Sequence, residues 1–351
     1  MAIKTTCIGA YPKPDFVNLP DWFNVPAGPD TSDPTKLWKA AIQAMGDSAE
    51  ETISRGVKQA IDDQVDAGID IPTDGEIPRE NYVHYHCRHL NGFDFDNLTT
   101  KELRGGTYSA ALPTIVAPVS AKQEFMVKEW KRAQQYTDKP VKVTMPGPMT
   151  VSDTNADAYY HDFSRLGADI ADALNVEVRA LANAGCKNIQ IDEPLFARRP
   201  SDAMEYGFEN LERAFHGCPK SVTRTVHMCC GYPDRLDHPN YPKADPDSYS
   251  QLAAAIDYAN IDAVSFEDAH RPNDLALFDQ INNTIVILGV VAIAKSEVES
   301  VEIIQQRLKA ALKHIDQERL IAAPDCGLGL LGRDLAMAKL RNMCKAAASF
   351  S

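Results

Sequence analysis

The residues from 223 to 231 read Thr223-Arg-Thr-Val-His227-Met-Cys229-Cys230-Gly231, a short β-type run that ends on two potential metal ligands. On a β-strand, residues i and i+2 point to the same face, so His227 and Cys229 are expected to project together. Two later runs of the same type end on Glu267 and on Cys326. One imidazole, two thiolates and one carboxylate form a donor set that suits tetrahedral zinc.

Short β-branched runs of this kind recur along the chain and alternate with amphipathic helical patterns. They predict eight strands, at residues 4–8, 68–73, 141–145, 187–191, 223–228, 262–266, 284–288 and 319–323. Helical patterns such as 48–67, 160–184, 301–315 and 333–348 lie between them. This alternation predicts an α/β fold, a (β/α)8 TIM barrel. A doubly wound sheet is disfavoured because no Gly-x-Gly-x-x-Gly turn follows the first strand.

Two stretches interrupt the alternation. Residues 77–120 carry aromatic and glycine signals, at Gly92-Phe-Asp-Phe and Gly105-Gly106, and predict a helix and a hairpin inserted after the second strand. Residues 231–247 are rich in proline, aspartate and tyrosine and predict a long loop after the fifth strand. No repeat or linker divides the chain, so residues 1–351 are predicted to form a single domain.

Net charge, apolar content and cysteine usage exclude several classes of protein. The net charge of −13 disfavours a nucleic-acid or membrane partner, and no apolar run approaches the length of a membrane span. The eight cysteines come without a secretion signal, which favours reduced thiols and a cytoplasmic location.

The unusual polar residues fall at the predicted carboxyl ends of strands, where active sites of TIM barrels are built. Besides the four potential ligands they include Glu76, Asp192 and Glu193. Asp192 and Glu193 are adjacent, so one is expected to enter the site while the other supports a loop or a helix terminus. The histidines at 84, 86 and 89 are not predicted to be a second metal site, because His84 and His86 diverge by roughly 200° on a helix.

Five segments, in this order, resemble the catalytic barrel of cobalamin-independent methionine synthase over nearly the whole chain. They are Ile8-Gly-Ala-Tyr-Pro12, Asp74-Gly-Glu76, Gln190-Ile-Asp-Glu-Pro194, His227-Met-Cys229 and Pro324-Asp-Cys-Gly-Leu328. The resemblance implies a zinc ion held by His227, Cys229, Glu267 and Cys326. It also implies that Glu76 and Asp192 hold the amino group of homocysteine, with Ala10 and Glu193 in the same substrate site. The chain looks like the short form with one barrel.

The chain departs from the family pattern on the side of the methyl donor. Ala10 stands where the family has a serine, and Ala294 stands where it has a histidine thought to protonate the folate leaving group. The tryptophan that stacks on folate is missing from the segment after Thr150. His270 is the candidate for a replacement acid. A donor whose leaving group needs no proton, such as a methylated corrinoid protein or a sulfonium, is therefore favoured over methyltetrahydrofolate.

The predicted function is zinc-dependent transfer of a methyl group to a small thiol, with homocysteine as the first candidate. The partners expected are this thiol and the donor, and assembly into a homo-oligomer stays open. Two alternatives remain: alkyl transfer to another thiol, as in epoxyalkane–coenzyme M transferases, and a zinc-containing barrel that binds thiols without turnover. Uroporphyrinogen decarboxylase shares the barrel but uses no metal, so the ligand set counts against it.

Overall fold

The computed structural model describes residues 2–24, 32–103, 108–238 and 241–350. Its strands are β1 (Lys4–Thr5), β2 (Leu90–Leu103), β3 (Tyr108–Ala121), β4 (Lys142–Pro146), β5 (Ala156–Asp157), β6 (Asn188–Asp192), β7 (Thr223–Met228), β8 (Ala263–Phe266), β9 (Ile285–Val291) and β10 (Leu320–Pro324). The helices are α1 (Ser32–Met45), α2 (Ala49–Ala67), α3 (Tyr82–Cys87), α4 (Met126–Gln134), α5 (Pro148–Asp153), α6 (Phe163–Ala184), α7 (Pro194–Arg198), α8 (Pro200–Asp202), α9 (Phe208–Ala214), α10 (Ser248–Tyr258), α11 (Val301–Ala311) and α12 (Arg333–Ala348).

Seven of the strands form one parallel sheet in the order β1-β10-β9-β8-β7-β6-β4. Every residue of β4, β6, β8 and β10 is buried, as expected for parallel strands that are covered on both faces. Because neighbouring strands are parallel, the carboxyl ends of all the strands lie at the same end of the sheet. The functional residues predicted at strand ends are therefore brought to one side of the molecule.

The second predicted strand differs from the others. Residues 68–73 form no named strand, but two isolated parallel bridges, Thr6 with Ile71 and Thr73 with Lys142, connect this segment to both edges of the sheet. Pro72 lies in its middle and has no amide hydrogen to donate, which limits the ladder that can form. The sheet is thus curled, and the segment lies between its two edge strands.

The helices begin and end where local chemistry predicts. Asp162 accepts hydrogen bonds from the backbone of Ser164 and Arg165 at the start of α6. The same helix ends at Gly185, whose φ of 104° is the left-handed conformation that glycine adopts without strain. α2 ends in the same manner at Gly68, with φ of 103°. No helix of the described residues is long and apolar enough to cross a membrane.

The insertion after the second strand segment contains the helix and the hairpin that the sequence predicts. Asn81 caps α3, and β2 pairs with β3 in an antiparallel hairpin. Gly92 has a φ of 93°, and a side chain there would meet the backbone oxygen of Ala117 at 2.7 Å. Gly105 and Gly106 lie outside the described residues. The insertion places α3 and one end of the hairpin close to the carboxyl ends of the strands.

Candidate metal and substrate site

Three of the four predicted metal ligands converge at the carboxyl ends of β7 and β10. The ligand atoms of His227, Cys229 and Cys326 all lie within 4.8 Å of one another, and this is the single such group of three or more among the described residues. His227 and Cys229 project together from the end of one strand, as the i and i+2 spacing predicts. Cys326 comes from a segment almost one hundred residues later, just after the end of β10.

The arrangement of the three side chains fits zinc. His227 Nε2 lies 3.4 Å from Cys326 Sγ, and ligand atoms of tetrahedral zinc are roughly 3.5 Å apart. The other ring nitrogen, Nδ1, lies 3.0 Å from the Ser265 hydroxyl, which orients the ring as second partners of metal-binding histidines do. The hydrogen bond from Cys326, with His227 nearby, holds the pKa of the Cys229 thiol well below its usual range. This shift favours the thiolate form of Cys229.

Glu267, the fourth predicted ligand, lies outside this group of three. Its Oε2 accepts a hydrogen bond of 2.9 Å from the backbone nitrogen of Cys230, and its Oε1 pairs with Lys243. Burial raises the pKa of Glu267, and the Lys243 ammonium opposes that rise. The Glu267 carboxylate is thus bonded to the loop that follows β7, through the backbone of Cys230, which is adjacent to Cys229, and through Lys243.

Glu76 and Asp192 both line the same pocket as the three ligands. Glu76 accepts a hydrogen bond of 2.8 Å from the Thr144 hydroxyl, and Arg79 Nη1 lies 3.4 Å from it. Its φ of 54° is unusual for a residue with a side chain and marks local backbone strain. Burial raises the pKa of Glu76, and Arg79 and Thr144 oppose this. Strain of this kind concentrates at functional sites.

Asp192 is buried, and a series of hydrogen bonds between side chains orients its carboxylate. Gln190 Nε2 donates to Asp192 Oδ1 at 2.7 Å, and Lys142 Nζ donates to Gln190 Oε1 at 2.6 Å. Since the Lys142 ammonium can only donate, it fixes which end of the Gln190 amide faces Asp192. Burial, opposed by the charge of His227 and reinforced by that of Glu76, raises the pKa of Asp192 to about 7. A cation beside it would reverse this shift.

The neighbouring Glu193 has a different position. Its carboxylate accepts hydrogen bonds from the backbone of Met149 and Thr150, at 2.8 and 3.0 Å, and from the Thr150 hydroxyl at 2.7 Å. It therefore caps the first turn of α5 and is fully buried there, away from the pocket lining. Of the two adjacent acids, Asp192 is the one that lines the pocket.

His270, the predicted replacement acid, is not among the residues that line the pocket. Its Nε2 accepts a hydrogen bond of 3.0 Å from the backbone nitrogen of Ala294, and its own backbone nitrogen donates to Asp325 at 2.7 Å. Burial lowers the pKa of His270 to about 3, so the ring is neutral at physiological pH. In this arrangement the ring accepts a hydrogen bond where the acid would have to donate a proton.

The pocket above the three ligands contains about 1010 Å³ of atom-free space, which includes the solvent at its open mouth. Its floor is polar and carries the metal group, Glu76 and Asp192. Its walls are largely aromatic and aliphatic, from residues Trp22, Phe23, Tyr82, Leu103, Leu195 and Tyr232. Ala10 and Gly327 complete the floor, and Ala10 accepts a backbone hydrogen bond of 2.7 Å from Leu328.

Comparison with known proteins agrees with this site. A family model described as the catalytic domain of cobalamin-independent synthase matches residues 26–349. The chain belongs to this methionine synthase family. The methionine synthase of Sulfolobus acidocaldarius is 27% identical over 346 residues, which cover 98% of this chain and 91% of that protein. A B12-independent methionine synthase from Shewanella sp. W3-18-1 superposes with a TM-score of 0.86 at 29% identity, covering 100% of this chain and 98% of that one. A putative vitamin-B12 independent methionine synthase from Listeria monocytogenes shares the fold, with a TM-score of 0.73 at 17% identity and coverage of 98% and 96%.

As a member of the cobalamin-independent methionine synthase family, the chain is a methyltransferase of methionine-synthase type. Its site also contains residues that the sequence did not predict. Ser265 and Gln190 orient a metal ligand and a carboxylate, and Tyr82 and Arg198 line the pocket. Ser265 could have been found from strand register, because it pairs directly with His227 across β7 and β8. Gln190 could have been found from its i and i+2 spacing to Asp192. Nothing in the local sequence distinguishes Tyr82 or Arg198.

Proposed function

We propose that this protein is a zinc-dependent methyltransferase that converts homocysteine to methionine, using His227, Cys229, Cys326 and Glu267 to hold the metal. The observation that carries the proposal is the convergence of three metal ligands on the floor of one pocket. The largely buried carboxylates of Glu76 and Asp192 line the same pocket. The Shewanella relative was solved in complex with selenomethionine, an analogue of the expected product, which supports an amino-acid ligand.

Each part of homocysteine has a counterpart in the pocket. The thiol reaches the metal group, and the ammonium lies between Glu76 and Asp192, which would otherwise repel each other. Bound zinc would lower the pKa of the thiol, so that the thiolate, which is the attacking form, is present at neutral pH. Glu267 would exchange Lys243 for the metal, and the same lysine is available as its partner whenever the carboxylate leaves.

The donor side of the pocket favours a leaving group that needs no proton. As the carbon–sulfur bond forms, the leaving group departs with the electron pair of the broken bond. A corrinoid leaves as a stable cob(I) species, and a sulfonium leaves as a neutral sulfide, whereas a folate amine requires protonation. Ala294 has no side chain that could supply this proton, and the neutral His270 ring accepts the Ala294 amide hydrogen bond. A methylated corrinoid or a sulfonium is therefore favoured as the donor over methyltetrahydrofolate.

We also propose that the parallel sheet closes into a complete barrel. We infer that residues 68–73 act as the eighth strand of a closed TIM barrel, because their bridges join β1 on one side and β4 on the other. We likewise propose that residues 1–351 form one catalytic domain. The site then lies at the carboxyl end of this barrel, with α3 and the inserted hairpin beside its mouth.

The test is a methyl-transfer assay with purified, zinc-loaded protein. Methylcob(III)alamin and methyltetrahydrofolate serve as donors, and homocysteine and coenzyme M serve as acceptors, with methionine or methyl-coenzyme M measured by mass spectrometry. Methionine formed from the methylated corrinoid, and lost when zinc is removed, would support the proposal. Turnover of coenzyme M but not homocysteine would assign a different thiol. Zinc-dependent thiol binding with no turnover of any pair would favour a binding protein.

A further inference from the structure

One wall of the pocket is built from four aromatic side chains that contact one another. This aromatic cluster consists of Trp22, Phe23, Tyr82 and Tyr232. The ring centroid of Trp22 lies 4.8 Å from that of Phe23 and 5.9 Å from that of Tyr82. The Tyr232 ring lies 6.0 Å from Trp22 and 5.3 Å from Phe23. All four residues are half-buried, so their rings remain accessible from the pocket.

The aromatic cluster lies beside the metal group. The Tyr232 hydroxyl donates a hydrogen bond of 2.8 Å to the backbone oxygen of Gly327, the residue after Cys326. Burial raises the pKa of both Tyr82 and Tyr232 well above the usual range, and the charges of Cys229 and Cys326 raise it further. Both tyrosines are therefore close to the thiolates. A group held against these rings would be next to a sulfur bound at the metal.

The remaining two rings are fixed by their backbone. The Trp22 nitrogen donates to the backbone oxygen of Glu80 at 2.9 Å. The Phe23 nitrogen donates to Asp21 Oδ1 at 3.0 Å, and the same carboxylate pairs with Lys13 at 2.9 Å. Since these anchors hold the rings in place before a ligand arrives, little conformational entropy is lost when one binds.

The charges of the pocket favour a cation against these rings. Among the described residues of the lining, the acidic side chains of Glu76, Asp153 and Asp192 outnumber the single basic one, Arg198. The face of an aromatic ring is also negative. No cation–π contact between described residues involves the aromatic cluster. The rings are thus available to a positively charged ligand.

We propose that the aromatic cluster binds the methyl donor and that this donor is an onium ion, either a methylated sulfonium or a quaternary ammonium. The inference rests on the proposed function, because it assumes that the acceptor thiol is held at the metal group. The methyl groups of an onium ion carry much of its positive charge, and a cage of aromatic rings recognises them through cation–π contacts. The anionic tail of a folate would instead meet the acidic lining.

The reaction of an onium donor balances without a proton. The thiolate sulfur of the acceptor attacks one methyl carbon and forms the new sulfur–carbon bond. The bond from that carbon to the onium atom breaks, and its electron pair goes to the onium atom. A neutral sulfide or tertiary amine then departs. This agrees with Ala294, which has no side chain that could protonate a leaving group.

The test compares donors with the zinc-loaded protein and homocysteine. Trimethylsulfonium and glycine betaine are the onium donors, and methylcob(III)alamin is the comparison. Mass spectrometry measures methionine together with the second product, which is dimethyl sulfide or dimethylglycine. Binding of the charge itself is measured by calorimetry with choline and with 3,3-dimethylbutan-1-ol, which has the same shape but no charge. The native chain alone is sufficient for both measurements.

The role of the rings is tested with Trp22→Leu, and Trp22→Phe restores an aromatic face. Trp38→Leu is the matched control, because the Trp38 ring lies outside this pocket with the Arg88 guanidinium 4.1 Å from its centroid. Trp22→Leu should weaken choline by roughly 5- to 30-fold, the range for one cation–π contact in a desolvated site. Trp22→Phe should recover part of this loss, and Trp38→Leu should leave choline binding unchanged.

An equimolar yield of methionine and dimethyl sulfide or dimethylglycine, with choline bound at least about tenfold more tightly than its neutral analogue, would support the proposal. The productive donor would then show whether the site takes the sulfonium or the quaternary ammonium. Methionine from methylcob(III)alamin but from neither onium donor, or equal binding of choline and its analogue, would overturn the proposal and leave the proposed function intact. If no donor yields methionine, the proposed function itself fails.

Discussion

Replacing Asp192 with asparagine is expected to weaken the binding of amine-bearing thiols and, at the same time, to stabilise the metal-free protein above pH 7. The two effects have one cause. Asp192 is held ready for a cation in a buried position where its own negative charge is unfavourable. Asparagine keeps the shape and can still accept the hydrogen bond of 2.7 Å from Gln190, but it carries no charge.

The effect on stability follows from the pKa of Asp192. Burial raises this pKa from 3.8 to about 7 in the folded protein. A carboxyl group with a raised pKa favours folding below its unfolded pKa, and this contribution is lost as the pH rises through 7. At pH 8 the ionised group then costs roughly 4 kcal/mol, from about three pKa units at 1.36 kcal/mol each. The variant avoids this cost at pH 8 and gains little near pH 4.

The effect on binding has the opposite sign. Loss of a charge-assisted hydrogen bond to the ammonium should weaken homocysteine by roughly 1.5–3 kcal/mol. A thiol without an amine, such as 4-mercaptobutanoate, should bind nearly as before. The neighbouring Glu193 offers a matched control, because it is also buried but caps α5. Glu193→Gln should leave the ratio of the two affinities unchanged.

The measurements are urea unfolding of the metal-free proteins at pH 5 and pH 8, and calorimetric titration of both thiols into the zinc-loaded proteins. A variant that is less stable than the native protein at both pH values, and that loses affinity equally for both thiols, would refute the reasoning. Asp192 would then be a structural brace, and homocysteine would no longer be the leading acceptor.

Three further predictions concern the metal, the donor and the packing of the site. Cys229→Ser and Cys326→Ser should each lose most of the zinc, measured by atomic absorption, while circular dichroism shows a folded chain; full zinc occupancy in both would disprove the ligand assignment. Methyltetrahydrofolate should be a donor at least about 100-fold poorer than methylcob(III)alamin in kcat/KM, because general acid help is worth roughly 10²–10⁴ in rate and Ala294 provides none; equal rates would contradict this. Gly147→Ala should destabilise the protein by about 1–3 kcal/mol in urea unfolding, since its Cβ would lie 2.3 Å from the Glu193 carboxyl carbon; an unchanged unfolding midpoint would contradict the close packing.

The sequence alone was sufficient for features that depend on local spacing. The i and i+2 positions of His227 and Cys229 predict that both side chains leave one face of a strand, and the structure brings them together with Cys326. Alternating strand and helix patterns predict parallel strands with their carboxyl ends together, and seven of them pair in this manner. Pro72 marks where the ladder of the second segment is incomplete. The resemblance to the methionine synthase family rests on the same short segments and is confirmed by the family match.

The tertiary structure alone decided which neighbour each polar side chain has. Asp192 and Glu193 are adjacent and chemically alike, yet one lines the pocket and the other caps α5, because α5 starts directly after β4, the strand that pairs with β6. Arg198 and Arg199 are equally basic, but among the described residues only Arg199 forms ion pairs with acidic partners. Periodicity determines the direction in which a side chain leaves the backbone. Its partner is contributed by residues distant in sequence, so its protonation and role are set only when the chain has folded.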